Sequence, residues 1–288
     1  MIDFPDYDSP AQLKIFLEER NMAMQKKFGQ NFLINAHART RLIDALDLEA
    51  NMSVWEVGPG LGAMTDEMLK RGGKVTAFEI DRGFCGILKD IFKGRQLTLV
   101  EGDVLKTWKK ELALNGMPAR FFGNLPYNVG SVIIADMISG DCRFEKAVVT
   151  VQKEVAMRMC AKPGSEDYSS FSVLCQWAYE VTPLLDLSGG SFWPRPNVDS
   201  RAVKMVKKSD FPRCKSPEHF MALLRALFVS RRKTIKNNLN SFYKDTSLAE
   251  SVLEKAAINP QVRAETLDLD TLLHLSEVSY ELSLNKEK

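Results

Sequence analysis

The sequence predicts an α/β domain, built on a mostly parallel sheet flanked by helices, followed by a small all-helical domain. Between Ser53 and Lys207, short apolar runs alternate with stretches of helical spacing, which is typical of a parallel sheet with crossover helices. After Lys208 only helical spacing remains. The 288 residues, 45% of them hydrophobic, are sufficient for one large and one small domain.

Seven segments are predicted as strands of this sheet. The first, at 53–57, leads into the glycine-rich turn GPGLG at 58–62 and then into a helix at 64–72. A helix is also predicted at 152–159, after the fifth strand, and a Pro-rich loop at 191–200 joins the last two strands. The predicted strands are 53–57, 74–80, 96–102, 119–123, 146–151, 176–187 and 201–208.

The second domain begins with a predicted helix at 216–228, because Ser216 can cap it and its large apolar residues share one face. Extending this helix would place Arg231 on the apolar face, so either the helix ends before Arg231 or the guanidinium enters a polar cleft. Further helices are predicted at 231–242 and 246–257, with one or two more within 258–282. The predicted domains are 1–207 and 208–288.

Composition and patterning exclude several classes of protein. No apolar run approaches the ~18 residues that span a bilayer, and the acidic N-terminal segment MIDFPDYDSP is not a signal peptide. The five cysteines are scattered without a CxxC pair, which predicts free thiols and no structural zinc. We therefore expect a cytoplasmic protein without a membrane segment, and a monomer by default because no exposed apolar stripe indicates a partner.

The formal net charge of +2 conceals a strongly basic segment. Residues 201–244 contain twelve Lys and Arg against two acids, Asp210 and Glu218, which is a net +10, and the remainder of the chain carries −8. Such asymmetry indicates binding to nucleic acid or another anionic surface, although a solvated helical face would have the same composition.

A nucleotide-binding site is predicted at the ends of the first strands. Gly58 and Gly60 let backbone N–H groups approach a ligand, because glycine has no Cβ. Glu79 ends the second strand, where a carboxylate can accept both hydroxyls of a ribose. The glycines with Ala63 also fit the dinucleotide fingerprint of a Rossmann oxidoreductase, and a purely structural turn in another α/β protein is the third interpretation.

Two further acids favour a cationic ligand. Glu56 stands two residues before Gly58, and Asp103 ends the third strand, where it can accept a hydrogen bond from an adenine amino group. Three carboxylates around one nucleotide-sized pocket would repel the diphosphate of NAD or FAD, whereas they suit a ligand with an ammonium and a sulfonium. The pattern therefore predicts S-adenosylmethionine as the cofactor.

The motif GNLPYN at 123–128 supplies a candidate catalytic loop. The exocyclic amine of adenine is a poor nucleophile, and two acceptors on its N–H bonds would free its lone pair. The side-chain oxygen of Asn124 and the carbonyl of Leu125 can be those acceptors, because Pro126 restricts the backbone of Leu125. Tyr127 can stack on an extruded base, whereas the alternative interpretation of the motif is an ordinary turn.

Several motifs in order resemble the KsgA-type ribosomal RNA adenine dimethyltransferases. They are KKFGQNFL (26–33), EVGPGLGAMT (56–65), FEID (78–81), GD (102–103), GNLPYN (123–128), QKEV (152–155), FWPRPNVDS (192–200) and RRKTI (231–235). The resemblance covers about Lys26 to Leu267 and implies a Rossmann-like class I methyltransferase domain followed by a helical, rRNA-binding domain that recognises the substrate.

The resemblance also implies a reaction. S-adenosylmethionine would methylate N6 of two adjacent adenines in a hairpin near the 3′ end of small-subunit (16S) rRNA, within a pre-30S particle. The alternatives are a large-subunit rRNA methyltransferase of the erythromycin-resistance type and a non-catalytic small-subunit assembly factor on the same fold.

Site residues follow from the motifs and the resemblance together. Those expected to bind the cofactor are Gln30, Asn31, Leu33, Glu56, Gly58, Gly60, Glu79, Asp103 and Asn124. Those expected in catalysis are Asn124, Leu125, Pro126, Tyr127 and Phe192, where Phe192 would stack on the flipped base opposite Tyr127. Those expected to contact the RNA backbone are Arg231, Arg232, Lys233 and Lys236, for which a solvated face is the alternative.

Overall fold

The computed structural model describes residues 4–22, 24 and 30–286. Contacts between Cα atoms divide the chain into two compact units, one of residues 1–156 and 181–207 and the other of residues 157–180 and 208–288. In the described ranges, no helix is both long and apolar enough to cross a membrane.

The first unit contains the predicted seven-stranded sheet. The strands in chain order are β1 Phe32–Leu33, β2 Ser53–Val57, β3 Lys74–Glu79, β4 Leu97–Glu101, β5 Arg120–Asn124, β6 Lys146–Gln152, β7 Tyr179–Leu187, β8 Phe192–Trp193 and β9 Ser200–Lys207. Their order in the sheet is β4-β3-β2-β5-β6-β9-β7. The pairs from β4 to β6 are parallel and β9 is antiparallel to β6, so the prediction of a seven-stranded, mostly parallel α/β fold is confirmed.

A two-stranded antiparallel ribbon was not predicted from the sequence. It pairs β1 with β8, with Leu33 opposite Phe192 and Phe32 opposite Trp193. Each strand is two residues long, too short for any alternation of apolar and polar residues to be visible.

The helices have local causes that can be read from the sequence. They are α1 Pro10–Glu18, α2 Ala36–Asp44, α3 Ala63–Lys70, α4 Arg82–Ile91, α5 Val104–Asn115, α6 Gly130–Ser139, α7 Lys153–Cys160, α8 Ser170–Ala178, α9 Pro217–Phe228, α10 Ile235–Tyr243, α11 Thr246–Lys255 and α12 Leu269–Lys286. Asp81 and Asp103, the residues that follow two strands, accept backbone N–H bonds as N-caps of α4 and α5. After β3 and β4, the end of the strand is therefore followed closely by the start of a helix.

The second unit differs from the sequence predictions in two respects. Residues 157–180 belong to it rather than to the predicted first domain, because Tyr168, Val173 and Trp177 are buried in its helical core. Residues 176–178, predicted as the start of a strand, are the last turn of α8. The large apolar side chains here decide the structure by packing, and packing partners from distant sequence are invisible to a local pattern.

The structure also resolves the alternatives for Arg231. Helix α9 ends at Phe228, before Arg231, and α10 begins only at Ile235 rather than at the predicted residue 231. The side chain of Thr234 accepts the N–H of Asn237 and so caps α10. Residues 229–234 are thus a loop between two helices.

Two glycine substitutions are expected to have opposite effects on stability. A Cβ added at Gly140 would lie 2.6 Å from the ring of Trp108, which is buried and donates its indole N–H to Asp136 at 2.6 Å. Gly140→Ala should therefore cost about 1–3 kcal/mol through overpacking. At Gly86, exposed in α4, nothing lies within 4 Å of the added Cβ, so Gly86→Ala should stabilise by up to about 1 kcal/mol.

Urea unfolding of the full chain, followed by circular dichroism, measures both effects. Opposite shifts of the unfolding midpoint are expected from the two variants, and a midpoint unchanged by Gly140→Ala would show that the Trp108 ring can move aside.

Candidate active site

One cavity lies at the carboxyl ends of the parallel strands in the first unit. Residues that end or directly follow β2, β3, β4 and β5 line it, together with residues 30–33. Parallel strands end at the same edge of a sheet, which explains why motifs far apart in the sequence converge here. The predicted residues that line the cavity are Gln30, Asn31, Leu33, Glu56, Gly58, Gly60, Glu79, Asp103, Asn124, Leu125, Pro126 and Tyr127.

The turn after β2 depends on glycine. Gly58 and Gly60 have φ values of +71° and +57°, a region that side chains disfavour. A Cβ at Gly60 would also lie 2.9 Å from the ring of Phe32, so the turn and the segment at 30–33 approach each other closely at this point. The N–H groups of Gly58 and Gly62 donate to the carbonyls of Phe78 and Pro59, so the turn is held in this conformation by its own hydrogen bonds.

The carboxylate of Glu79 joins the ends of two strands. Its Oε2 accepts the N–H of Gly60 at 3.1 Å, and its Oε1 accepts the N–H of Asp81 at 2.8 Å. Burial raises the pKa of Glu79 to about 7, although these backbone hydrogen bonds oppose the shift. Gln30 donates to Asp81 at 3.0 Å, which connects the segment at 30–33 to the same corner.

Glu56 is the most deeply buried acid of the cavity. Its side chain is 1% exposed, and its Oε2 accepts the hydroxyl of Thr65 at 2.5 Å. Burial raises the pKa of Glu56 to about 8, and the nearby charge of Glu79 adds to that rise. A positively charged ligand in this cavity would stabilise the ionised forms of both acids.

The loop Asn124–Tyr127 is held by five hydrogen bonds. The Nδ2 of Asn124 donates to the carbonyl of Asn31 at 3.0 Å, so its Oδ1 is the acceptor atom of that side chain. Leu125 donates its N–H to Thr150, and the carbonyl of Pro126 accepts from Val129 and Gly130. The hydroxyls of Tyr127 and Ser200 share a hydrogen bond of 2.5 Å.

Phe192 does not lie where the sequence prediction requires. It is 3% exposed, belongs to the core of the first unit, and is absent from the lining of the cavity. Its pairing with Leu33 in the ribbon of β1 and β8 turns the side chain into the core. Its neighbour Trp193 is only partly buried and stacks on Phe32 with a ring separation of 6.1 Å.

The four predicted RNA contacts fall in or beside the loop between α9 and α10. Arg231 binds the carboxylate of Glu265 at 2.6 Å and the carbonyl of Glu166 at 2.5 Å. Lys236 binds Glu250 at 2.7 Å. Arg232 and Lys233 are exposed.

Three contacting residues had no signal in the sequence analysis. Tyr7 and Leu13, from the N-terminal segment, line the cavity. Asn238 donates to the carbonyl of Leu227 at 2.7 Å, in the last turn of α9 just before the loop at 229–234. None of the three belongs to a motif, and Tyr7 and Asn238 act through backbone carbonyls in other elements of the chain. Residues 26–29 of the motif KKFGQNFL lie outside the described residues. Among those described, no group of three His, Cys, Asp or Glu is placed to hold a metal ion.

Comparison with known proteins agrees with the geometry. Residues 21–279 match the family model of ribosomal RNA adenine dimethylases. Ribosomal RNA small subunit methyltransferase A of Treponema denticola is 47% identical over 280 residues, which are 95% of this chain and 96% of that protein. A dimethyladenosine transferase from Plasmodium falciparum has a TM-score of 0.72 at 27% identity, with coverage of 88% of this chain and 97% of that one.

The 23S rRNA methyltransferase ErmE shares the fold, with a TM-score of 0.63 at 22% identity over 86% of this chain and 99% of that chain. The cavity at the strand ends, the loop Asn124–Tyr127 and the match over residues 21–279 lead to one conclusion. This chain belongs to the ribosomal RNA adenine dimethylase family.

Proposed function

We propose that this protein transfers methyl groups from S-adenosylmethionine to N6 of two adjacent adenines near the 3′ end of small-subunit rRNA, during assembly of that subunit in the cytoplasm. The observation that carries the proposal is that the loop Asn124–Tyr127 lines the same cavity as three carboxylates. Family membership and the 47% identity to a small-subunit methyltransferase support it. The pre-30S particle as substrate and a monomeric enzyme are parts of the same proposal.

The cavity suits S-adenosylmethionine by its chemistry. Burial raises the pKa of Glu56 and of Glu79. A cofactor with an ammonium and a sulfonium would supply positive charge that stabilises both carboxylates. At Gly58 the atom nearest to an added Cβ is the carbonyl oxygen of Asn124 at 3.8 Å, so the turn is open to close approach there. Asp103, two residues after β4, would accept a hydrogen bond from the adenine amino group. When bound, the cofactor supplies a methyl group activated by positively charged sulfur.

The chain's own contribution to the reaction is positioning and electrostatics. Oδ1 of Asn124 and the carbonyl of Leu125 would accept the two hydrogens of the target amine and so free its lone pair. The contact of Nδ2 with Asn31 fixes which atom of the Asn124 amide can accept. Tyr127, half-buried and held by Ser200, would stack on the base.

The variant Asn124→Ala tests this assignment directly. Tritiated methyl transfer from S-adenosylmethionine to small ribosomal subunits that lack the modification should approach four methyl groups per particle with the unaltered protein. Loss of one acceptor of the reacting amine should lower kcat by about 10²–10³-fold. Asn115→Ala, at the end of α5, is the matched control and should retain full activity because that residue does not line the cavity.

Other outcomes of this assay have defined meanings. Labelling of large subunits alone would overturn the small-subunit assignment in favour of the large-subunit enzyme. Tight binding to small subunits with no labelling would instead identify a non-catalytic assembly factor.

Cofactor binding is expected to release protons near neutral pH. In the free protein the raised pKa values of Glu56 and Glu79, about 8 and 7, keep both acids partly protonated at pH 7. A cation favours the charged carboxylates and lowers both pKa values, so protons leave on binding and affinity rises as pH increases from 6 towards 8. Conversely, the free protein loses stability over the range from the ordinary glutamate pKa of 4.5 up to about 8.

Calorimetric titration at pH 7 in two buffers of different ionisation enthalpy measures the released protons. Glu56→Gln should remove the protons that Glu56 releases on binding, whereas Glu49→Gln, at an exposed residue, should leave the number of released protons unchanged. Protons lost by the ligand itself cancel in the comparison between these variants. Equal proton release by the Glu56→Gln variant and the unaltered protein would contradict the assignment.

Arg232 and Lys233 are expected to contact RNA phosphates because both are exposed on the loop between α9 and α10. Arg232→Gln and Lys233→Gln should each weaken binding to small subunits and reduce the slope of log K against log salt by about one. Lys93→Gln, exposed in the first unit, is the control. An unchanged slope in both variants would favour the solvated-face interpretation.

A further inference from the structure

The N-terminal segment contributes to the cavity although it precedes the residues that the family model matches. Tyr7 and Leu13 line the cavity, whereas the match begins at residue 21. The segment is anchored, because Ser9 caps α1 and the buried side chains of Leu13, Phe16 and Leu17 belong to the core of the first unit. A fixed segment beside a ligand cavity can hold other residues in place.

Tyr7 holds the glycine-rich turn. Its hydroxyl donates to the carbonyl of Leu61 at 2.9 Å, and Leu61 is 2% exposed and lines the cavity. Burial raises the pKa of Tyr7 well above its ordinary value, with the nearby acids Asp66 and Glu56 adding to the shift, so the phenol remains a hydrogen-bond donor at neutral pH.

Asp8, the next residue, holds a second part of the cavity lining through an arginine. Its carboxylate lies 2.5 Å from the guanidinium of Arg39, which is 6% exposed. Arg39 in turn donates to the carbonyl of Leu33 at 3.0 Å, and Leu33 lines the cavity in the segment at 30–33 that was expected to bind the cofactor. Two adjacent residues therefore support two parts of the lining of one cavity.

We propose that Tyr7 and Asp8 form an N-terminal clasp that holds the glycine-rich turn and the segment at 30–33 in place around the cavity in which S-adenosylmethionine would bind. They are positioning residues, since they act through the backbone carbonyls of Leu61 and Leu33. A cavity whose walls are held before the ligand arrives loses less conformational freedom on binding. The clasp therefore contributes to cofactor affinity rather than to the methyl-transfer step. This inference rests on the proposed use of S-adenosylmethionine.

Tyr7→Phe tests the clasp with minimal disturbance, because it retains the ring and removes only the hydroxyl. The equilibrium Kd for S-adenosylmethionine, measured by calorimetry without RNA, should rise about three- to tenfold, the value of one buried hydrogen bond. Asp8→Asn, which removes the charge that faces Arg39, should also raise Kd. At saturating cofactor, kcat and the KM for small subunits should remain unchanged in both variants.

Tyr168→Phe is the matched control. The hydroxyl of Tyr168 donates to the carbonyl of Leu267 at 3.1 Å, the same kind of bond as that of Tyr7, but it lies in the second unit and does not line the cavity. A merely structural role for Tyr7 predicts that both variants lower the melting temperature similarly and leave Kd unchanged. The clasp predicts a raised Kd for Tyr7→Phe and an unchanged Kd for Tyr168→Phe.

The unaltered protein separates the two levels of the proposal. If it does not bind S-adenosylmethionine, the proposed function fails and the clasp fails with it. If it binds and Tyr7→Phe and Asp8→Asn bind equally well, only the clasp is overturned. A fall in kcat at saturating cofactor with no change in Kd would also overturn the clasp, because it would assign Tyr7 to the chemical step.

Discussion

The arrangement of the cavity depends on two hydrogen bonds that the carboxylate of Glu79 accepts. This carboxylate accepts the backbone N–H of Gly60, after β2, and that of Asp81, after β3, and so fixes the ends of two neighbouring parallel strands. Parallel pairing alone brings strand ends to one edge but leaves the connecting loops free. The shared carboxylate turns two loops into a single corner, and Asp81 then begins α4 as its N-cap. In the proposed function the same acid would also bind the ribose of the cofactor, which would give one side chain both a structural and a ligand-binding role.

The sequence predicted the cavity well because its residues follow strands. A glycine-rich turn, an acid and a polar loop at the ends of parallel strands must converge, whatever the length of chain between them. This geometric rule explains why Gly58, Glu79 and Asn124 lie together although no local pattern links them. The strand boundaries were also close, since short buried runs of β-branched and aromatic residues have few alternatives.

The prediction failed where long-range packing decides the structure. The family resemblance implied that Phe192 stacks on the flipped base, but Phe192 pairs with Leu33 and is buried. Residues 157–180 follow a strand of the first unit in sequence, yet Trp177 packs with α9 through Phe220. Charge counting has the same weakness, because Arg231 and Lys236 each bind an acid from outside the basic segment. The segment thus presents less free charge than its composition indicates.

Buried acids explain why this cavity needs supporting contacts from side chains around it. An uncompensated carboxylate in a cavity destabilises the free protein, and burial shifts the pKa values of Glu56 and Glu79 upward in response. The free protein therefore favours any movement that lets water reach these acids. Thr65 opposes that movement from α3 by donating to Glu56. Tyr7, from the N-terminal segment, holds the glycine-rich turn that lines the same cavity, by donating to the carbonyl of Leu61. Because a cationic ligand removes the penalty that these contacts offset, ligand binding and folding stability are coupled in this unit through the same two carboxylates.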